Sequence, residues 1–382
     1  MKIGFIGFGK LGQPCGEVIA DKGHDVKAYD IAEIDTTVVM CPTIKDTVVD
    51  RDIVFIAVPT PHDPQYDGSL PSATLPPKDF NYTTVIQCIH EANKHMGEHQ
   101  LLVLISTVLP GTVRSKFVPL VTNTRFVYNP YLIAMGTVAW DMVNPEMLMI
   151  GTEDGSETGD AKQLKEFYDS IMENDPRIII GTWDECECIK VFYNTFISMK
   201  IGMVNMIQDV AEMQGNINTD VVTDALRDST QRIMGPSYMK AGMGDGGACH
   251  PRDNIALRYM ANNLGLGYDL FDAVMHSRER QAYNMAMSIV LEGERIHFTS
   301  DSYKPFVTYT NGSYSLLVQH YVKTFGVKVV GIDDEPDVIV RVHESDEIKE
   351  GLGELTVFDP WRSYKSDNYN IIHYGNTRWD TL

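Results

Sequence analysis

The stretch Met1-Lys2-Ile3-Gly4-Phe5-Ile6-Gly7-Phe8-Gly9-Lys10-Leu11-Gly12 decides the fold. A short apolar strand runs into G-x-G-x-x-G, a helix-like segment continues to Lys22, and a second strand from Asp25 to Tyr29 ends at Asp30. Strand, glycine turn, helix and acid in this order form a dinucleotide-binding fingerprint. Gly7 permits the tight turn, Gly9 lets the backbone approach a pyrophosphate across Lys10 and Leu11, and Gly12 lets the helix pack on the strand. The phosphates then meet the helix N-terminus. Asp30 sits close to the spacing of about 20 residues at which an acid holds a ribose 2′-hydroxyl. It favours NAD over NADP, whose 2′-phosphate it would repel.

Outward from this turn, short apolar runs alternate with helical stretches to about residue 150. Strands are expected at 3–7, 26–29, 53–58, 101–106, 126–128 and 147–150, which predicts a doubly wound parallel sheet. In such sheets the carboxyl ends of the strands face the ligand crevice. That places Thr60-Pro61 and the run Ser106-Thr107-Val108-Leu109-Pro110-Gly111-Thr112 at the cofactor mouth. Residues 184–290 read as nearly all helical, opening with a long amphipathic segment from Glu185 to Gln214 that suits a domain connector and a homodimer interface. Strands return at 327–332, 338–342, 355–358 and 370–374 around a helix from Ser313 to Phe325. The expected fold is therefore α/β: two Rossmann-like α/β domains, 1–183 and 294–382, joined by a central helical domain, 184–293.

A chain of 382 residues is too long for one core. Its 43% hydrophobic and 22% charged content is ordinary for a globular protein. A net charge of −20 argues against nucleic acid as a partner, since no basic stripe is present to meet a phosphate backbone. No apolar run approaches the ~18 residues of a membrane span, and no membrane partner is expected. The first strand starts at Lys2, so no signal or transit peptide is expected. Six scattered cysteines read as reduced thiols of a cytoplasmic protein. Cys186 and Cys188 lack further ligands at metal spacing, and no metal is expected.

Chemistry concentrates in Gly246-Gly247-Ala248-Cys249-His250-Pro251-Arg252-Asp253. If a helix begins at Cys249, the cysteine and Asp253 share one face at i,i+4. The thiol then lies at the positive end of the helix dipole, which lowers its pKa and makes it a candidate nucleophile. The paired glycines clear the approach to sulfur. A small buried core cysteine is the competing reading. Lys190 and Asn194 form a second i,i+4 pair, able to aim an ammonium and an amide at one oxygen. A solvated helix face is the alternative for that pair taken alone.

The order of these motifs resembles the UDP-glucose/GDP-mannose 6-dehydrogenase family over nearly the full length. The matches are the glycine turn, Thr60-Pro61, Ser106 to Thr112, Lys190 with Asn194, Tyr238 to Gly242, Gly246 to Asp253, and Lys304-Pro305. The resemblance implies NAD-dependent oxidation of a nucleotide-sugar C6 alcohol to a carboxylate, UDP-glucose being the expected substrate, with Cys249 capturing the aldehyde. It makes Lys190, Asn194 and Thr107 holders of the oxyanion or a water, and Asp253 the group that orients the lysine and that water. It puts Arg252, a lysine in the family, near the cofactor. Tyr131, Leu132, Tyr238, Gly242, Gly246 and Lys304 would face the substrate.

Two departures stand out. The family's N-P-E-F-L-x-E-G reads Asn129-Pro130-Tyr131-Leu132-Ile133-Ala134-Met135-Gly136, so the glutamate expected to drive thioester hydrolysis is Tyr131 and the second glutamate is Met135. Neither titrates usefully near neutrality. The family's K-P-x-T-D-D-x-R-E-S reads Lys304-Pro305-Phe306-Val307-Thr308-Tyr309-Thr310-Asn311-Gly312-Ser313, without its acids and arginine. Two alternatives stay open: a dehydrogenase of 6-phosphogluconate or hydroxyacid type that oxidises a hydroxyl once, and a nucleotide-sugar binder that has lost catalysis.

Overall fold

In the computed structural model, residues 1–61, 79–133, 136–157, 159–235, 241–243, 251, 258, 260–308, 310 and 312–375 are described. They divide into two compact units, Met1–Ser198 and Met199–Leu382.

The first unit holds an eight-stranded sheet. Its strands are β1 (Lys2–Ile6), β2 (Asp25–Tyr29), β3 (Val39–Met40), β4 (Ile53–Ile56), β5 (Leu101–Leu104), β6 (Arg125–Tyr128), β7 (Met147–Thr152) and β8 (Arg177–Thr182), in the order β3-β2-β1-β4-β5-β6-β7-β8. β4 and β5 are apolar and buried at every position, as strands covered on both faces must be. Alternate side chains serve opposite cores. Phe5, Phe55 and Val103 pack with Cys15 and Ile19 of α1 (Gly12–Asp21) and with Leu164 and Phe167 of α5 (Asp160–Asp169). Ile6, Ile56 and Leu104 pack with Val85 and Ile89 of α3 (Thr83–Asn93). The short helices α2 (Ile44–Val48) and α4 (Val138–Val143) fill the connections.

One expectation needs correcting. The sheet is not parallel throughout, because β6 and β7 pair antiparallel at Tyr128 and Gly151. The connection between them does not recross the sheet as a parallel crossover requires. β7 and β8 are parallel to each other. β3, β8 and a strand at Arg295–Phe298 were also not expected, and the run at 327–332 contracts to Lys328–Val329.

Helix α6 (Trp183–Gln214) begins in the first unit. A Cβ on Gly151 would stand 3.2 Å from Trp183 Cα and from Cys186 Cβ. A glycine there lets the first turn of α6 lie directly on β7.

The second unit contains the helices Thr219–Arg227, Leu270–Val290 and Tyr314–Thr324 among its described residues. Asp269 and Ser313 cap the latter two by accepting from Asp272 N and Leu316 N. Its wholly parallel sheet runs β10-β9-β11-β12-β13, with β9 (Arg295–Phe298), β10 (Lys328–Val329), β11 (Val338–Val340), β12 (Thr356–Asp359) and β13 (Asn370–His373). No helix among the described residues is long and apolar enough to cross a membrane.

Candidate functional site

The glycine turn is built as its spacing predicts. Gly7 takes φ +91° and donates its N–H to Tyr29 O at 2.9 Å, tying the turn to β2. A Cβ on Gly12 would lie 2.1 Å from Gly7 O, so only glycine lets α1 start there. A Cβ on Gly9 would meet nothing within 4 Å, so its backbone borders open space. α1 has no side-chain cap at Leu11, but the Gln13 and Cys15 N–H groups are taken by Gly9 O and Leu11 O, so an anion would meet the glycine turn itself at the helix start.

That open space is a cavity of about 780 Å³. Gly7, Gly9, Lys10, Leu11 and Asp30 line one side, and Thr60, Ser106 and Thr107 line the strand-end loops. Tyr131 and Lys190 close another wall. Two hydrogen bonds knit the strand-end loops together: Thr60 Oγ1 donates to Thr107 O at 2.7 Å and Ser106 Oγ to Val58 O at 2.5 Å. Gly12 and Pro61 are not among the residues that line it. The open backbone at Gly9, the uncapped helix start and the acid at the end of β2 together fit NAD.

Asp30 does more than its spacing indicates. Its carboxylate accepts from Phe8 N at 2.6 Å and from Ala32 N at 2.9 Å, so it also braces the glycine turn. Asp30→Asn replaces one accepting oxygen with a donor and removes the charge. NAD affinity is expected to fall about tenfold while NADP gains relative to NAD. Calorimetric titration of both cofactors tests this, and an unchanged ratio of their dissociation constants would refute it.

Lys190 is half-buried on α6 and donates from Nζ to Tyr131 O at 2.6 Å. Burial lowers the pKa of its amine. Asn194, one turn further on, is exposed and does not line the cavity. Tyr131 presents its carbonyl to this wall, but its ring is buried in the core. The Tyr168 hydroxyl donates to Asn129 Oδ1 at 2.5 Å and lies 2.9 Å from the Tyr131 hydroxyl. Burial pushes the Tyr131 phenol well above its ordinary pKa. The residue standing where the family has glutamate is thus a core tyrosine held in a hydrogen-bond chain. Leu132 packs against the core on the α3 face of the sheet rather than lining the cavity.

Glu187, one turn before Lys190, is a residue that the sequence reading passed over. It is 0% exposed, and its two carboxylate oxygens accept from Gly111 N at 2.6 Å and Val113 N at 2.7 Å. Burial raises its pKa to about 7 against those two bonds, which pull it down. An acid three residues before a candidate catalytic lysine, in the run Glu185-Cys186-Glu187-Cys188, was the available signal.

In the second unit, a Cβ on Gly242 would meet the Trp361 ring at 2.3 Å, and Ala241 O accepts from Arg362 Nη2 at 2.6 Å. Lys304 is exposed with Nζ 5.4 Å from the centre of the Tyr303 ring. Cys249, Asp253, Arg252, Tyr238, Gly246 and Met135 lie outside the described residues. Cys15 and Cys186 are buried, and burial pushes each thiol up to about 12.

Comparison with known proteins agrees with this construction. Residues 36–172 match the NAD binding domain of the UDP-glucose/GDP-mannose dehydrogenase family and residues 184–280 its central domain. Residues 2–66 match the NAD binding domain of 6-phosphogluconate dehydrogenase. The chain is 27% identical to GDP-mannose 6-dehydrogenase of Pseudomonas aeruginosa over 317 residues, covering 74% of this chain and 69% of that protein. It is 26% identical to UDP-glucose 6-dehydrogenase of Rhizobium meliloti over 373 residues, covering 88% and 82%. Its fold matches the ternary complex of GDP-mannose dehydrogenase from Pseudomonas aeruginosa with a TM-score of 0.80 at 20% identity, over 97% of this chain and 99% of that one. Two successive regions of one family cover more than half of the sequence, the first of them holding Thr60, Ser106 and Thr107 of the cavity and the second Lys190, and the chain is an NAD-binding oxidoreductase of the UDP-glucose/GDP-mannose dehydrogenase family.

Proposed function

We propose that the protein oxidises the C6 hydroxyl of a nucleotide sugar to the carboxylate, with UDP-glucose to UDP-glucuronate as the leading pair. Bound NAD supplies the hydride acceptor, two equivalents for each sugar. The observation that carries the reading is the shared cavity wall. Lys190 and Thr107 face the same space as the glycine turn, so a lysine whose amine is eased toward neutrality by burial stands beside the cofactor's pocket. In this reading residues 1–183 bind NAD, 184–293 carry Lys190, Asn194, Cys249 and Asp253, and 294–382 hold the nucleotide with Lys304. The active species is a homodimer.

Thr107 and Lys190 hold the C6 oxygen, and the neutral form of the Lys190 amine takes up its proton as the alcohol becomes an aldehyde. The Cys249 sulfur then bonds to C6, and its proton passes to the carbonyl oxygen, giving a thiohemiacetal. Loss of a second hydride from C6 and of the hydroxyl proton leaves a thioester on Cys249. Water adds to that carbonyl, the C–S bond breaks, and the thiol is regenerated beside the free carboxylate. Tyr131 is a poor base for the last step, because its phenol is buried and its pKa raised. Asp253, or a water held between Thr107 and Lys190, does that work.

The test is the NADH yield from a limiting, known amount of UDP-glucose with excess NAD, read by absorbance and repeated with GDP-mannose and other sugar nucleotides. Two NADH per sugar are expected from the true substrate. A steady yield of one would favour a single oxidation of the hydroxyl. One per enzyme site followed by a halt would locate a block at thioester hydrolysis. Tight binding of NAD and sugar nucleotide without any NADH would make the chain a binder.

A further inference from the structure

We infer that Glu187 is a positioning residue for the NAD pocket, acting through the Ser106–Thr112 loop rather than by touching the cofactor. The cavity is bounded by two chain segments that follow strands β5 and β6, and α6 reaches both. Lys190 binds the β6 segment at Tyr131 O. Glu187, three residues earlier and so on the same helix face, binds the β5 segment at Gly111 N and Val113 N. The span between Lys190 and Thr107 across the pocket is therefore set by one helical turn.

The bonding is too costly to be incidental. A carboxylate with no exposed surface gives up its hydration at a high cost unless its oxygens are bonded, and here both oxygens are taken by loop N–H groups. Arg114, whose charge acts on it, is itself engaged by Asp184. Gly111 takes φ +84°, a turn that aims its N–H at the helix. From the loop the constraint passes to the pocket, because Thr107 O accepts from Thr60 Oγ1 and Ser106 Oγ donates to Val58 O. Those two bonds carry the register of the β5 loop into the β4 loop, and Thr60 and Thr107 both line the cavity.

Glu187→Gln is the primary test, since its amide turns one accepting atom into a donor facing a backbone N–H. In the full-length protein the Kd for NAD by calorimetry is expected to rise about tenfold, and the Gly111 and Val113 amides are expected to lose their hydrogen-exchange protection. In turnover the KM for NAD should rise by a similar factor, with kcat at saturating NAD within about threefold of wild type, because bound cofactor reseats the loop. Leu164→Ala, a core truncation in α5 away from the cavity, serves as the control that lowers Tm without moving the Kd. Glu187→Asp keeps the charge but reaches at most one of the two N–H groups, and decides the matter with an intermediate rise if the glutamine variant does not fold. An NAD Kd within about twofold of wild type in these Glu187 variants, despite exposed loop amides, overturns the inference. An equal rise in Leu164→Ala overturns it as well. The calorimetric arm needs no sugar oxidation, so its failure is separable from failure of the proposed reaction.

Discussion

Gly12→Ala is expected to destroy NAD binding and lower Tm together, whereas Gly9→Ala loses the first and spares the second. The difference is where the added methyl goes. At Gly12 it arrives 2.1 Å from Gly7 O and 3.1 Å from Gly7 C. Both are backbone atoms, so no rotamer relieves the clash. Either α1 retreats from the strand or the turn at Gly7 opens, and that turn is already held at φ +91° by its bond to Tyr29 O. Overpacking of this kind costs about 3 kcal/mol, or roughly 6–12 °C in Tm for a unit of this size. The displaced helix start no longer meets the phosphates, and the Kd for NAD should rise at least about a hundredfold. At Gly9 the same methyl meets nothing within 4 Å, so the free protein does not feel it. It occupies the space a pyrophosphate needs, and only the Kd should respond. Scanning calorimetry and titration of both variants separate the two effects. The account fails if Gly12→Ala binds NAD normally, or if Gly9→Ala destabilises as much as Gly12→Ala.

Much of this pocket was legible because its physics is local. A tight turn, a close backbone approach and a helix start each demand a particular residue at a fixed spacing, and Gly7, Gly9, Gly12 and Asp30 satisfy them within thirty residues. The buried strands Ile53–Ile56 and Leu101–Leu104 announce themselves as uninterrupted apolar runs. Their direction is another matter. Side chains alternate identically in parallel and antiparallel strands, so the reversal at β7 left no trace in the pattern. β3 is two residues long, and Arg295–Phe298 alternates charge with apolar residues at the edge of a loop. Glu187 was hidden for a different reason. An acid on a helix is ordinarily solvated, and its burial here depends on the β5 loop folding over it, which is a tertiary event. Tyr131 shows the same limit from the other side. The missing glutamate was plain in the sequence, but only the fold reveals that the replacing ring turns into the core toward Tyr168. The cysteine motif remains a reading of the sequence, because it lies outside the described residues.

Cys249→Ser is expected to reduce conversion of the sugar to its acid by at least about a thousandfold, leaving the Kd for NAD unchanged. Sulfur is needed because a thiol is partly ionised near neutrality, while a serine hydroxyl stays protonated. Without the nucleophile the aldehyde is not held for a second oxidation, so the variant should form at most one NADH per sugar. The three buried cysteines, Cys15, Cys88 and Cys186, are ill suited to take over. Burial pushes Cys15 and Cys186 up to about 12 and Cys88 to about 11, which keeps them as thiols at working pH. The same contrast predicts that limiting iodoacetamide at neutral pH inactivates the wild-type enzyme in proportion to carbamidomethylation of Cys249, and that the true nucleotide sugar protects it. Mass spectrometry of the modified peptides reads that stoichiometry directly. A wild-type yield of one NADH per sugar that Cys249→Ser reproduces at a near-normal rate would remove the covalent route altogether. It would leave Lys190 and Thr107 as the machinery of a simple alcohol oxidation, in which the fold and NAD pocket described here would still stand.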